Sequence, residues 1–240
     1  MSQNQYIQIQ KELKRLGSKE KAKSSARFFK TGPGQYGEGD IFIGVSVPEQ
    51  RKIARQFSAV LFLVLSQLLA SAIHEERLTA LLILVDQMKL AVQIGDIKKR
   101  KEIFDFYIQN LDRVNNWDLV DSSARDIVGS YAFDTDQNIL QKLVLSKNLW
   151  HRRVSIIATH YFIQKGEYAI SLGLAKVLFA DTHDLTHKAV GWTIREIYKK
   201  DSKLVEDFLQ KHIQKIPRTA LRYAIERMPE SKRKRYLRLK

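Results

Sequence analysis

Apolar residues recur at 3.6-residue spacing along nearly the whole chain, and there is no convincing run of strands. The pattern predicts helices near residues 3–16, 18–30, 48–56, 60–72, 74–94, 96–110, 117–133, 136–146, 149–165, 167–180, 184–200, 202–214, 218–227 and 231–239. The class is all-α. The helices pair, and the longer, more apolar second members begin near 75, 117, 149, 184 and 218. Intervals of 42, 32, 35 and 34 residues lie close to the period of a helical-hairpin solenoid. A solenoid of this type is curved, and its second helices line a concave face that suits a long, regular ligand such as a duplex.

The first stretch outside this pattern is Lys30-Thr-Gly-Pro-Gly-Gln-Tyr-Gly-Glu-Gly-Asp40, which leads through Ile41 and Phe42 to Pro48. Pro48 opens a helix where its missing amide costs nothing. Glycines here permit positive φ and close backbone approach, as a phosphate-binding loop would need. The Lys-Ser/Thr of a P-loop is missing, however, and no strand precedes the stretch. A structured linker is the better reading. The chain then reads as a single domain over 1–240, with an N-terminal helical cap and Gly-rich linker at 1–47 and helical repeats at 48–240.

Charge adds the first functional constraint. Forty-one Lys and Arg against 26 Asp and Glu give +15, with a pI near 9.9. So basic a balance favours a polyanion, and without a strongly amphipathic anchor, nucleic acid leads over a membrane surface. The most apolar run, Val60–Ala72, is broken by Ser66 and Gln67 and is too short to span a bilayer. No signal peptide is evident, so a cytoplasmic protein, with no membrane contact, is expected. The lack of cysteine excludes a disulfide framework and thiolate metal sites. The basic C-terminus, Ser231-Lys-Arg-Lys-Arg-Tyr-Leu-Arg-Leu-Lys240, reads equally as a solvated tail or as a final helix touching a DNA backbone.

Candidate chemistry gathers at Arg113-Val-Asn-Asn-Trp-Asp-Leu-Val-Asp121. Asn115 and Asn116 suit a helix N-cap. In the helix that follows, Trp117 and Asp121 stand one turn apart and share a face, about 40° from each other at 100° per residue. An indole beside a carboxylate suits a cationic substrate. Taken alone, the pair also reads as a core Trp and an Asp bound to Arg125 at i+4. Trp150 shares an apolar face with Val154, Ile157, Ala158 and Tyr161, which makes it core. Trp192 lies outside the apolar stripe of Val190, Ile194 and Ile197, among Lys188, Arg195 and Lys199, and needs a ligand or a neighbouring repeat to explain it. If the repeats stack, Trp117, Asp121 and Trp192 can converge on the concave face, with Arg153 at the border of its own stripe within reach. Competing sites are weaker: His183 and His187 have metal-ligand spacing but no carboxylate placed as a base between them, and Ser122 and Ser123 have no nucleophile elbow.

Four segments together resemble the AlkD-like DNA alkylation-repair glycosylases. They are Phe28-Phe-Lys-Thr-Gly-Pro-Gly-Gln-Tyr-Gly-Glu-Gly-Asp40, Asn116-Trp-Asp-Leu-Val-Asp121, Trp150-His-Arg-Arg-Val154 and Lys188-Ala-Val-Gly-Trp-Thr-Ile-Arg-Glu196. The resemblance implies a curved stack of HEAT-like antiparallel helix pairs. It implies a monofunctional glycosylase, acting as a monomer without cofactor or metal, that removes N3-methyladenine or N7-methylguanine from double-stranded DNA. Trp117 and Trp192 would be its catalytic tryptophans and Asp121 its carboxylate. Arg153 would contact DNA, with Arg27, Lys30, Lys188 and Arg195 on phosphates. The alternative is a non-catalytic HEAT-like protein that binds duplex or branched DNA.

Overall fold

The computed structural model describes residues 2–240, with side chains from Asn4 onward. Among the described residues the regular secondary structure is helical but for one isolated bridge between Ile41 and Ile73. The chain gathers into two compact units, divided between Ile127 and Val128.

The first unit contains α1 (Ser2–Leu16), α2 (Lys19–Phe28), α3 (Val47–Gln56), α4 (Phe62–Leu69), α5 (His74–Gln93), α6 (Ile97–Gln109) and α7 (Trp117–Ala124). Helix α5 is its axis, with every residue from His74 to Val85 buried, so it is enclosed all round rather than along one stripe. Helices α1, α3, α4, α6 and α7 all pack on it. Its first turn, His74-Glu-Glu-Arg77, is charged yet buried, and each charge has partners. Glu75 accepts from the amides of Ile43, Gly44 and Val45, which fastens the end of the linker to the α5 N-terminus. Gly44 must be glycine: its φ is 81°, and a Cβ there would lie 2.1 Å from the Ser18 carbonyl oxygen.

The second unit contains α8 (Ser130–Asp134), α9 (Asn138–Val144), α10 (Leu149–Ala158), α11 (His160–Gln164), α12 (Ala169–Leu178), α13 (Asp184–Tyr198), α14 (Ser202–His212), α15 (Arg218–Ala224) and α16 (Glu230–Leu239). Helix α13 is the most connected, packing on α10, α11, α12, α14 and α15. Gly191 lets α13 and α15 approach: a Cβ there would meet the Ala220 carbonyl oxygen at 2.4 Å and the Tyr223 Cβ at 2.5 Å.

The expected second helices begin at His74, Trp117, Leu149, Asp184 and Arg218, as the periodicity predicts. Two expected helices are interrupted. The one from Trp117 passes through a π turn at Arg125–Gly129 before α8. The one from Leu149 breaks at Thr159, whose hydroxyl bonds back to the Ile156 carbonyl at 2.7 Å. The basic C-terminus is the helix α16, anchored by buried Tyr236. No helix among the described residues is long and apolar enough to cross a membrane.

Candidate functional site

The site grows from the start of α7. Asn116 is the cap, extended at φ −147° and ψ 156°, and its side-chain oxygen accepts from the Trp117 amide at 2.8 Å. Its amide nitrogen donates to Asp40 Oδ2 at 3.0 Å, so the cap is itself held by the last residue of the Gly-rich stretch. Asp40 also takes Arg77 as an ion pair and lies 3.0 Å from His74 Nδ1. The other imidazole nitrogen, Nε2, is 2.8 Å from Asp118 Oδ2. His74 thus bridges the linker to the first turn of α7, with its side chain 2% exposed.

Burial disfavours the imidazolium, but hydrogen bonds and charge from Asp118, joined by Asp40, outweigh it and push the His74 pKa up to about 9. The Asp40 carboxyl shows the complementary balance. Burial works against its ionised form, yet His74, Arg77 and Asn116 hold it below the usual carboxylate range. Two acids and two bases sit there with their hydrogen bonds largely made, the condition under which buried charge is tolerated.

Above this network rises a ladder of rings. His74 stacks on Phe42 at 4.5 Å, Phe42 on Phe29 at 4.9 Å, and Phe29 on Trp117 at 5.1 Å with planes 16° apart. Phe28 meets the Trp117 indole edge-on at 5.8 Å and is itself 66% exposed. These contacts fix the indole plane while leaving Trp117 only half-buried.

Asp121, one turn on, is also half-buried. Its charge reaches the fully buried Tyr107, whose phenol is raised first by burial and further by that carboxylate. Arg125, at i+4 from Asp121, forks onto both oxygens of its neighbour Asp126 at 2.9 and 2.8 Å. In the same unit Arg27 and Lys30 are exposed and make no side-chain ion pair or hydrogen bond among the described residues.

In the second unit the apolar stripe of α13 is as the phase predicts, with Val190, Ile194 and Ile197 fully buried and Trp192 only partly so. The polar partner of Trp192 is an acid rather than the surrounding bases: its Nε1 donates to Glu196 at 3.0 Å. Its ring sits edge-on to His160 at 4.7 Å. Lys188 pairs with Asp184 at 2.8 Å, and Arg195 with Glu226. Arg153 is 5% exposed and donates to the Leu185 carbonyl at the start of α13. Trp150 is buried, as its face predicts. His183 caps α13 through the Leu185 amide, while His187 Nε2 lies 2.6 Å from the Asp181 carbonyl.

Sequence reasoning missed His74 and its partners. Asp40, His74 and Asp118 are separated by 34 and 44 positions, beyond any local pattern. The available signal was that four charged residues, His74-Glu-Glu-Arg77, open the most thoroughly buried helix of the chain.

The profile of a family described as DNA alkylation repair enzyme matches residues 9–228. A predicted DNA alkylation repair enzyme from Enterococcus faecalis is similar in structure, with a TM-score of 0.68 and 17% identity over 89% of this chain and 97% of that one. AlkD2 from Streptococcus mutans gives a TM-score of 0.56 and 17% identity, over 95% and 99% of the respective chains. The smu.31 protein of the same species gives 0.55 and 18%, over 76% and 93%. At these identities the likeness speaks for the fold alone, an all-α helical repeat. None of the curated proteins matches the sequence significantly.

Proposed function

Because the chain belongs to the DNA alkylation repair enzyme family, we propose that it is a monofunctional DNA glycosylase that releases positively charged alkylated purines, such as N3-methyladenine and N7-methylguanine, from duplex DNA. The observation that carries this reading is the start of α7. There an indole held by Phe28 and Phe29 stands one turn from the half-buried carboxylate of Asp121.

The chemistry asks for little more. Alkylation at N3 or N7 puts a positive charge on the purine and weakens its bond to C1′. When that bond breaks, its electron pair goes to the base, which leaves neutral, and C1′ acquires oxocarbenium character. Water adds to C1′ and gives up a proton. A carboxylate near C1′ stabilises the cation, and Asp121 would do this and accept the proton from water. The Trp117 indole would favour the nucleotide in its cationic state. Trp192 is assigned a DNA contact of its own in the second unit. No lysine Schiff base is invoked, so the strand stays intact. Exposed Arg27 and Lys30 would pair directly with phosphates, whereas Lys188 and Arg195 would first have to leave Asp184 and Glu226.

The test is release of free methylated base from methylated duplex under single-turnover conditions. Asp121→Asn removes the charge and keeps the shape. It should slow excision by on the order of 10²-fold or more while duplex affinity holds or rises slightly. Arg125→Ala should leave excision near wild type. Full excision by Asp121→Asn would take the carboxylate out of the mechanism. Salt-sensitive duplex binding without base release by the wild-type chain would establish the non-catalytic binding protein instead.

A further inference from the structure

Helices α12 and α14 of the second unit border a groove that none of the residues assigned to base release lines. One lobe, of about 410 Å³, is lined by Lys176, Phe179, Ala180, His212 and Lys215. An adjoining lobe, of about 310 Å³, shares Lys176 and His212 and adds Lys211, with Gly173 and Phe208 among its walls. Volumes of this size lie at the lower end of the roughly 300–1,000 Å³ range of ligand sites. Phe179, Phe208 and His212 form an aromatic cluster, with ring centroids 6.1, 6.3 and 4.8 Å apart. A Cβ on Gly173 would meet nothing within 4 Å, so the second lobe is open there.

Three lysines converge on this groove. Several other lysines of the unit have acids: Lys188 has Asp184, Lys199 has Glu196 and Lys232 has Glu206. Lys176, Lys211 and Lys215 make no ion pair among the described residues, although Asp207 borders the second lobe. Their convergence is felt by His212, whose pKa is lowered by burial and then by these three ammonium groups together. Like charges gathered around an apolar floor repel one another and lower the stability of the free protein. An anion relieves that cost.

We propose that the α12–α14 groove binds single-stranded DNA, with unstacked bases against Phe179 and His212 and consecutive phosphates on Lys176, Lys211 and Lys215. Both features of the groove choose this ligand. The aromatic cluster needs a flat π face, which an acidic peptide does not provide and a duplex keeps stacked inside its helix. The two lobes, each with its own lysine and sharing Lys176, suit successive phosphates of one strand better than a single free nucleotide.

The experiment uses the full chain and a short fluorescein-labelled oligothymidylate, followed by anisotropy across a salt series. Lys176→Gln combined with Lys215→Gln should weaken binding on the order of tenfold. It should also flatten the log–log salt slope by about 1.4, at roughly 0.7 per phosphate of a single strand. Phe179→Ala should weaken binding roughly tenfold through lost stacking. Methylated-base release from duplex should stay at the wild-type rate in the lysine variant, whose substitutions are on exposed residues. In NMR titrations the His212 imidazole should gain its proton at higher pH once the oligonucleotide is bound, because phosphates then offset the lysines. Unchanged oligonucleotide affinity in both variants would overturn the proposal. So would a His212 titration indifferent to the strand, or displacement of the strand by thymidine monophosphate or a polyglutamate peptide at equal charge concentration.

Discussion

His74 offers the sharpest physical test, because its protonation is stored in the fold. Its pKa stands at about 9 against an ordinary 6.5. Since each pKa unit is about 1.4 kcal/mol, the folded state favours the imidazolium by about 3 kcal/mol. The sign follows from proton counting. A raised pKa means the folded chain holds the proton more tightly, so this stability is fully present below pH 6.5. It drains away as pH climbs toward 9, where the neutral ring faces two carboxylates and donates to only one. Urea unfolding at intervals from pH 6 to pH 9.5, for wild type and His74→Gln, isolates the contribution, since every other titrating group is shared. The variant is less stable throughout, because a buried acid loses its cation. The informative quantity is the difference, which should shrink by about 3 kcal/mol across the window. Trp117 emission should change with the same midpoint, since Phe42 and Phe29 link its indole to the imidazole. Parallel stability profiles would show that the fold does not raise the His74 pKa and that the network does not depend on its charge.

Two further substitutions separate packing from function in the second unit. Trp150→Ala truncates a buried ring and should cost roughly 3–5 kcal/mol in urea unfolding. Trp192→Ala loses an edge contact and one hydrogen bond from a half-buried ring, so it should cost well under 3 kcal/mol yet reduce base release. A melting loss in Trp192→Ala equal to that of Trp150→Ala would make it ordinary packing. Gly191→Ala and Gly173→Ala make the same chemical change with opposite expected signs. The first drives a methyl into the α15 backbone and should cost about 1–3 kcal/mol, outweighing the helix propensity it gains. The second has open space and should stabilise by about 0.5–1 kcal/mol. A neutral or stabilising Gly191→Ala would show that α13 and α15 have room to separate.

The sequence carried most of the helix starts because each is a local event. Asn116 caps through its own side chain, Pro48 lies in the first turn of α3, and the second helices open where periodicity resumes. What escaped was set by neighbours distant in sequence. The π turn after Ala124 has no signature in its residues, and the break at Thr159 depends on which carbonyl one hydroxyl selects. At Trp192 helical phase correctly kept the ring off the apolar stripe, but it could not say that the indole would choose Glu196 over the bases around it. Likewise the spacing of Asp121 and Arg125 at i+4 could not say that Arg125 would fork onto its own neighbour Asp126.

The Gly-rich stretch illustrates how a segment read as a linker becomes part of a site. Helix α7 supplies Trp117 and Asp121, yet the residues that fix the indole plane come from elsewhere. Phe28 and Phe29 lie at the end of α2, Phe42 follows the glycines, and His74 opens α5. Asp40 ties these pieces together through Asn116, Arg77 and His74. Its position is set by the turns before it, where Gly34 and Gly39 take φ of 72° and 86° that other residues rarely adopt. A side chain forced onto those glycines would therefore act at a distance. It would shift Asp40, loosen the His74 bridge and free the ring ladder, all without touching Trp117. The N-terminal segment is thus one wall of the candidate site, and the orientation of its tryptophan depends on that wall's charge as well as its packing.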